Sequence, residues 1–231
     1  MAAFIFEPLI QGTAGMRMYA PEHLDILIAI AKKHNILNIA DEVMTGFGRT
    51  GRYFATQYLK QTADIICLSK GITGGFMPLG VTACREEIYQ AFYSDDKLKA
   101  FYHGHSYTAN PMACAAALAS LEILRTRETQ ERIYEISTQN TAFVDRIKHH
   151  PKIKNIRSLG TILAIELQTS ENTSYFNPLK ESIYDYCLSR GVLLRPLGNI
   201  IYIMPPYCIS DEDLRYVHSV MEEVVNRTPD I

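Results

Sequence analysis

The sequence predicts an α/β domain followed by a smaller α+β domain, and three features point there. Strand-length apolar runs recur at residues 2–6, 36–40, 64–69 and 79–84. A helical stretch at 21–34 separates the first two runs, which is the order of a βαβ unit. From about residue 127 the character changes to charged helices alternating with short strand-like runs. The implied domains are 1–126 and 127–231.

Each element has a local reason. The runs at 2–6, 36–40 and 65–69 read as continuous apolar segments, the pattern of interior strands in a sheet covered on both faces. Leu24, Leu27, Ile28 and Ala31 recur at helical spacing after Pro21, a residue tolerated in a first helical turn. Asn110-Pro111 opens a small-residue helix through Leu124 that reads as closely packed. A polar break at 125–128 leads to a charged amphipathic helix ending near His150-Pro151. Residues 153–168 supply one or two strands, and 178–190 a helix with Gly191 as its C-terminal stop. Residues 192–194 and 200–204 read as a hairpin about Leu197-Gly198-Asn199. Ser210-Asp211-Glu212-Asp213 is the start signal of a closing helix to Asn226.

Bulk composition narrows the function classes. The 231 residues are 47% hydrophobic and 21% charged with net charge −2, enough for a real core and no reason to expect nucleic acid or an anionic membrane. No apolar stretch approaches the ~20 residues of a membrane span. Glu7 interrupts the first apolar run and no basic segment precedes it, so a signal peptide is not expected and the cytoplasm is. Cys67, Cys84, Cys114, Cys187 and Cys208 form no CxxC pair, and several lie in apolar segments, so they read as core residues of a reducing compartment.

The chemistry-bearing positions sit just past the strands. Asp41 follows the run 36–40 and Lys70 follows 65–69, which brings a carboxylate and a primary amine to the edge where α/β sheets bind ligands. Pyridoxal phosphate chemistry needs that pair: a lysine to form a Schiff base and a carboxylate to keep the pyridine nitrogen protonated. Burial would lower the Lys70 pKa, and Gly71, Gly74 and Gly75 would let a bulky ligand approach. Taken singly, Lys70 also reads as a surface lysine and Asp41 as a loop cap. Gly46-Phe47-Gly48-Arg49-Thr50-Gly51 matches G-x-G-x-x-G, but five residues separate it from the strand and no clear helix follows. His103-Gly104-His105-Ser106 precedes a helix; two histidines suggest a metal but no third ligand clusters with them, and a phosphate or a structural turn fits as well. Arg195, before Pro196, is either an edge charge or a fork for a carboxylate. Glu7 orients another charge or caps a loop.

Taken together, FIFEPLIQGTAGM, IADEVMTGFGRTG, ADIICLSKGITGGFMPLG and HGHSYTANPMACAAALASLEIL resemble the class III pyridoxal-phosphate-dependent aminotransferases, over essentially the whole chain. The Asp41–Lys70 interval of 29 (70 − 41) suits that family. LLRPLGNIIYIMPPY is similar to the branch that aminates 8-amino-7-oxononanoate in biotin biosynthesis. The resemblance implies fold-type I architecture: the later part of the large cofactor domain, then the small C-terminal domain. It implies that Lys70 holds pyridoxal 5'-phosphate and moves the substrate proton, and that Asp41 pairs with the ring nitrogen. His105 and Ser106 would hold the cofactor phosphate across the interface of a homodimer with shared active sites. Gly104 would line the substrate site and Arg195 would hold a carboxylate; no metal is implied. The implied reaction is ping-pong transfer from S-adenosylmethionine to 8-amino-7-oxononanoate, giving 7,8-diaminononanoate.

Two departures accompany the resemblance. The family's subunit is far longer, and its N-terminal portion, with a Gly-Ser phosphate contact and a ring that stacks on the cofactor, has no match here. A fragment with open sheet edges and a tendency to aggregate is therefore expected. Several relatives in the pathway carry proline and threonine at the positions of His105-Ser106, whereas lysine-donor types carry this pair, which leaves lysine as a rival donor. The rival functions are another class III ω-aminotransferase and a non-catalytic half-chain that needs its missing portion.

Overall fold

The computed structural model describes residues 2–170 and 173–228. The strands and helices run β1 (Ala3–Phe6), β2 (Ile10–Gln11), β3 (Arg17–Met18), α1 (Pro21–Lys33), β4 (Leu37–Asp41), β5 (Ile65–Leu68), β6 (Val81–Cys84) and α2 (Glu86–Gln90). They continue with α3 (Pro111–Arg125), α4 (Arg127–Ile147), β7 (Ile153–Leu159), β8 (Ile162–Leu167), α5 (Leu179–Ser189), β9 (Ile200–Ile203) and α6 (Asp211–Arg227). They fall into two compact units. The first comprises Met1–Leu9, Tyr19–Phe47 and Tyr53–Thr126; the second comprises Ile10–Met18, Gly48–Arg52 and Arg127–Ile231. Among the described residues no helix is long and apolar enough to cross a membrane.

The first unit is a four-stranded sheet in the order β1-β4-β5-β6. β1, β4 and β5 are parallel, and β6 returns antiparallel to β5. α1 packs Leu24 and Ile28 against Phe6 and Ala40 of the sheet. Asp64 fixes the entry to β5: its carboxylate accepts the Asn38 backbone N–H at 2.8 Å and pairs with Arg85 at 3.0 Å. Burial works against that charge, yet the Asn38 and Arg85 donors hold its pKa below the usual carboxylate range.

The burial expected of these strands is found only in part: central β4 buries Asn38 and Ala40, and the others are more open. β1 buries only Phe6, β5 is half-buried throughout and β6 is exposed throughout. β1 and β6 form the two edges of the sheet, so each has a strand on one side only. Leu27 points outward and is exposed, because α1 buries only the stripe of Leu24, Ile28 and Ala31. The helix expected to pack closely, α3, buries only Ala113 and Leu124, while Met112, Leu118 and Ile123 are exposed. Of the five cysteines, Cys187 alone is buried; Cys84 of β6 and Cys114 of α3 are exposed on open faces of those elements, and Cys208 is exposed in the turn before α6.

The second unit closes on itself. β7, β8 and β9 form an antiparallel sheet with β8 in the middle, and Ile162, Leu163, Ala164, Ile165 and Leu167 of β8 are buried. Helices α4, α5 and α6 add Ile136, Phe143, Ile147, Ile183, Leu214, Met221 and Val224 to the same core. Each such side chain fully removed from water contributes roughly 2 kcal/mol. Ser210 caps α6 by accepting the Asp213 N–H at 3.0 Å. Residues 10–18 belong here because Arg157 donates to the carbonyls of Gly15 and Met16. Residues 48–52 belong here because the Thr161 N–H donates to Arg49 O at 2.9 Å.

The expected hairpin at 192–204 is only half present. β9 pairs with β8 instead of with 192–194, which are not a strand. Pro196 lacks a donor and disfavours regular pairing before it. The chain turns at Gly198 (φ +63°), closed by reciprocal hydrogen bonds between Leu197 and Ile200 at 2.9 and 3.1 Å.

Candidate active site

The register of the parallel sheet decides where the two reactive groups stand. Asp41, the last residue of β4, pairs with Cys67 of β5, so Lys70 lies three residues past the partner of Asp41. Both therefore occupy the carboxyl ends of adjacent parallel strands, the edge at which α/β sheets bind small molecules. One Asp41 oxygen accepts the Val43 N–H at 3.0 Å, and no hydrogen bond occupies the other among the described residues. Its negative charge reaches the neighbouring strand: burial first, and then Asp41, push the Cys67 thiol pKa up.

Lys70 has a left-handed backbone (φ +44°), a conformation that costs a non-glycine residue about 1–3 kcal/mol. It opens a short 3₁₀ turn, Lys70–Thr73, held by Ile72 N–H to Ser69 O at 3.1 Å. Ser69 Oγ donates to Leu79 O at 2.8 Å and Thr73 Oγ1 to Met77 O at 2.6 Å, which pins the loop on both sides. Gly71 is required by packing: a Cβ there would come within 2.9 Å of the Phe47 Cβ. The Lys70 amine makes no hydrogen bond among the described residues and is exposed, not buried as expected. The reason is the openness of β5 and β6, which leaves the end of the strand uncovered.

Glu42, beside Asp41, is fully buried. Its carboxylate accepts the Thr45 hydroxyl at 2.6 Å and the backbone N–H groups of Ala55 and Thr56 at 3.0 and 2.7 Å. The GFGRTG stretch shows no dinucleotide geometry, since only a short 3₁₀ turn at Ala55–Tyr58 follows it. Its arginine serves the second unit: Arg49 donates to Pro205 O at 2.6 Å and lies 4.8 Å from the Tyr207 ring centroid.

Gly104, His105 and Ser106 lie on an exposed turn before α3. His105 Nδ1 accepts the Tyr107 N–H at 3.1 Å, and the His105 N–H donates to Thr108 Oγ1 at 3.0 Å. No hydrogen bond joins them to Asp41 or Lys70 among the described residues. Arg195 belongs to the second unit and lines an open cleft of about 440 Å³ with Lys180, Glu181, Tyr184, Asp185 and Pro196.

The family model for class-III aminotransferases matches residues 1–225. The chain belongs to this family. It is 43% identical over 226 residues to the adenosylmethionine-8-amino-7-oxononanoate aminotransferase of Synechococcus elongatus, covering 98% of this chain and 53% of that protein. The protein of the same name from Anoxybacillus flavithermus is 38% identical, with 99% of this chain and 51% of that one covered. Among solved structures, the adenosylmethionine-8-amino-7-oxononanoate aminotransferase of Methanocaldococcus jannaschii superposes with a TM-score of 0.89 at 33% identity, covering 97% of this chain and 53% of that one. The chain thus spans about half the length of the relatives it matches.

As a class-III aminotransferase chain it has the fold-type I architecture, a mixed sheet dominated by parallel strands. Two features of the site escaped the sequence reading. The left-handed Lys70 gives no compositional signal, since lysine is an unusual residue there. Glu42 reads as one more charge after a strand, and only the fold shows the donors around it. Its signal was the pairing of Glu42 with Thr45 three residues on, a spacing that suits a local hydroxyl–carboxylate bond.

Proposed function

We propose that this chain supplies Lys70 and Asp41 to the centre of a pyridoxal-phosphate aminotransferase that converts 8-amino-7-oxononanoate to 7,8-diaminononanoate, with S-adenosylmethionine as amino donor. The observation that carries the reading is the β4–β5 register, which stands an unengaged amine and a half-engaged carboxylate at the ends of neighbouring parallel strands. This donor set fits the cofactor. When bound, pyridoxal phosphate supplies an electron sink for proton loss at the amino-bearing carbon. Lys70 Nζ would hold the cofactor covalently and then move that proton as general base and acid. Asp41 would keep the ring nitrogen protonated through its open oxygen. His105 and Ser106 would bind the phosphate of the neighbouring site in a homodimer, with Gly104 lining the substrate space. Arg195, with its planar pair of donors, would take a substrate carboxylate.

The identity of the relatives supports the substrate. Purified chain incubated with pyridoxal phosphate, reduced with borohydride and mapped should carry the pyridoxyl group on Lys70. 8-Amino-7-oxononanoate should then accept the amino group; turnover with ornithine or 4-aminobutyrate as amino donor, while 8-amino-7-oxononanoate is inert as acceptor, would assign a different ω-aminotransferase. A second reading has one observation in its favour. Phe76, Tyr102 and Leu98 are more than four-fifths exposed in the unit that bears the site. On that reading the chain stays silent until a further polypeptide segment covers this surface, and adding the N-terminal half of a relative would restore turnover.

A further inference from the structure

The groups that touch the cofactor do not explain why a charged side chain lies fully buried one residue from Asp41. Glu42 is 0% exposed, and all three partners of its carboxylate are donors: the Thr45 hydroxyl and the N–H groups of Ala55 and Thr56. Its backbone is equally committed. Glu42 N–H donates to Cys67 O at 3.0 Å, which extends the β4–β5 pairing toward Lys70, and Glu42 O accepts the Gly46 N–H at 3.0 Å. A Cβ at Gly46 would come 2.9 Å from that same carbonyl, so the turn closes tightly on Glu42.

The turn delivers Phe47. This residue is itself left-handed (φ +58°), and its ring meets Phe54 edge-on at 5.5 Å between centroids. Phe54 directly precedes the two amides that Glu42 holds. Phe47 also packs against Gly71, where a Cβ would come 2.9 Å from the Phe47 Cβ and 3.1 Å from its ring. A continuous path therefore runs from the Glu42 carboxylate through 55–56 and Phe54 to Phe47, and from Phe47 to the backbone beside the left-handed Lys70.

We propose that Glu42 is a positioning residue: its three-donor clamp fixes the Phe47 ring under Gly71 and thereby sets the backbone from which the Lys70 amine projects, while tying Asp41 to β5. The inference rests on the assignment of Lys70 and Asp41 to the cofactor. Glu42 touches neither substrate nor cofactor in this role.

The discriminating variant is Glu42→Gln, which keeps the shape but turns an NH₂ group toward N–H donors. Amide exchange in the cofactor-free chain reads the coupling directly. Ile72 and Gly74, whose N–H groups close the turn after Lys70, should exchange at least about tenfold faster, while the amides of α1 keep their wild-type rates. Thr45→Val removes one of the three donors and should give a smaller effect at the same amides; it decides the matter if the Gln variant does not fold. With pyridoxal phosphate and borohydride, labelling of Lys70 in Glu42→Gln should fall by about the same factor. Acceleration confined to Ala55 and Thr56 would make Glu42 a loop cap only, and equal acceleration across α1 would make it a general stabiliser; either overturns the proposal. Failure of the wild-type chain to label at Lys70 would instead remove the cofactor assignment, whatever the exchange rates show.

Discussion

The two units of this chain solve the burial problem differently. The second unit has a middle strand, β8, enclosed by its sheet neighbours and by side chains from α4, α5 and α6. The first packs Leu24 and Ile28 of α1 against Phe6 and Ala40 of the sheet, while β6 and most of α3 remain open. Yet the first unit bears Asp41, Lys70 and Glu42, and its apolar content is no lower along β5 and α3. Apolar composition sets what a segment can bury; the elements packed over it decide what it does bury. In this chain the proposed reactive edge belongs to the less enclosed unit.

Changes inside the second unit should have the largest effects on stability. Gly160 has φ +60°, and a Cβ there would collide with the backbone of Arg49, Thr50 and Gly51. Gly160→Val should cost more than about 3 kcal/mol and abolish the cooperative urea transition of that unit. Leu163→Ala, at a fully buried position of β8, should cost about 3–5 kcal/mol in the same transition. Leu118→Ala on exposed α3 should change stability by less than about 0.5 kcal/mol.

A pH titration sharpens the contrast. His218 stacks on Phe143 at 4.4 Å, and its Nε2 lies 3.0 Å from Asn140 Oδ1. Burial, with a smaller contribution from the Arg146 charge, lowers its pKa to about 4. An unfolded histidine takes up its proton near pH 6.5. The contribution of this group is therefore complete above about pH 6.5 and is lost as pH falls toward 4, by about 3 kcal/mol in all. Urea unfolding at pH 7, 5.5 and 4.5 checks it, and His218→Phe should flatten the dependence. The smallest expected effect is on the open surface. Phe76→Ser and Phe101→Ser should reduce binding of an apolar fluorescent dye with a stability change under about 0.5 kcal/mol.

These contrasts show what could be read from residues alone. Strand ends were legible because Asp41 and Lys70 follow continuous apolar runs, and helix starts because Ser210 and Asn110 are side-chain caps. Burial was not legible, since β6 and the exposed face of α3 have interior composition without a covering element among the described residues. Residues 192–194 imitate a strand, three apolar residues before Arg195-Pro196, but form none. The attachment of residues 10–18 and 48–52 to the second unit depends on backbone carbonyls meeting Arg157 and Thr161, contacts that no local pattern announces. The left-handed Lys70 is likewise a product of the fold around it, with Gly71 against Phe47 on one side and the Ser69 anchor on the other.

On the proposed function the open unit is the chemical one, with Lys70 as its reactive amine. Borohydride trapping with pyridoxal phosphate, followed by peptide mapping of the wild type, Lys70→Ala and Asp41→Asn, tests it most directly. One dominant pyridoxyl-peptide containing Lys70 is expected, absent in Lys70→Ala and at least about tenfold weaker in Asp41→Asn, where a charge pair worth ~1.4 kcal/mol or more is lost. Label scattered over Lys97, Lys99 and Lys180, unchanged by either substitution, would contradict it.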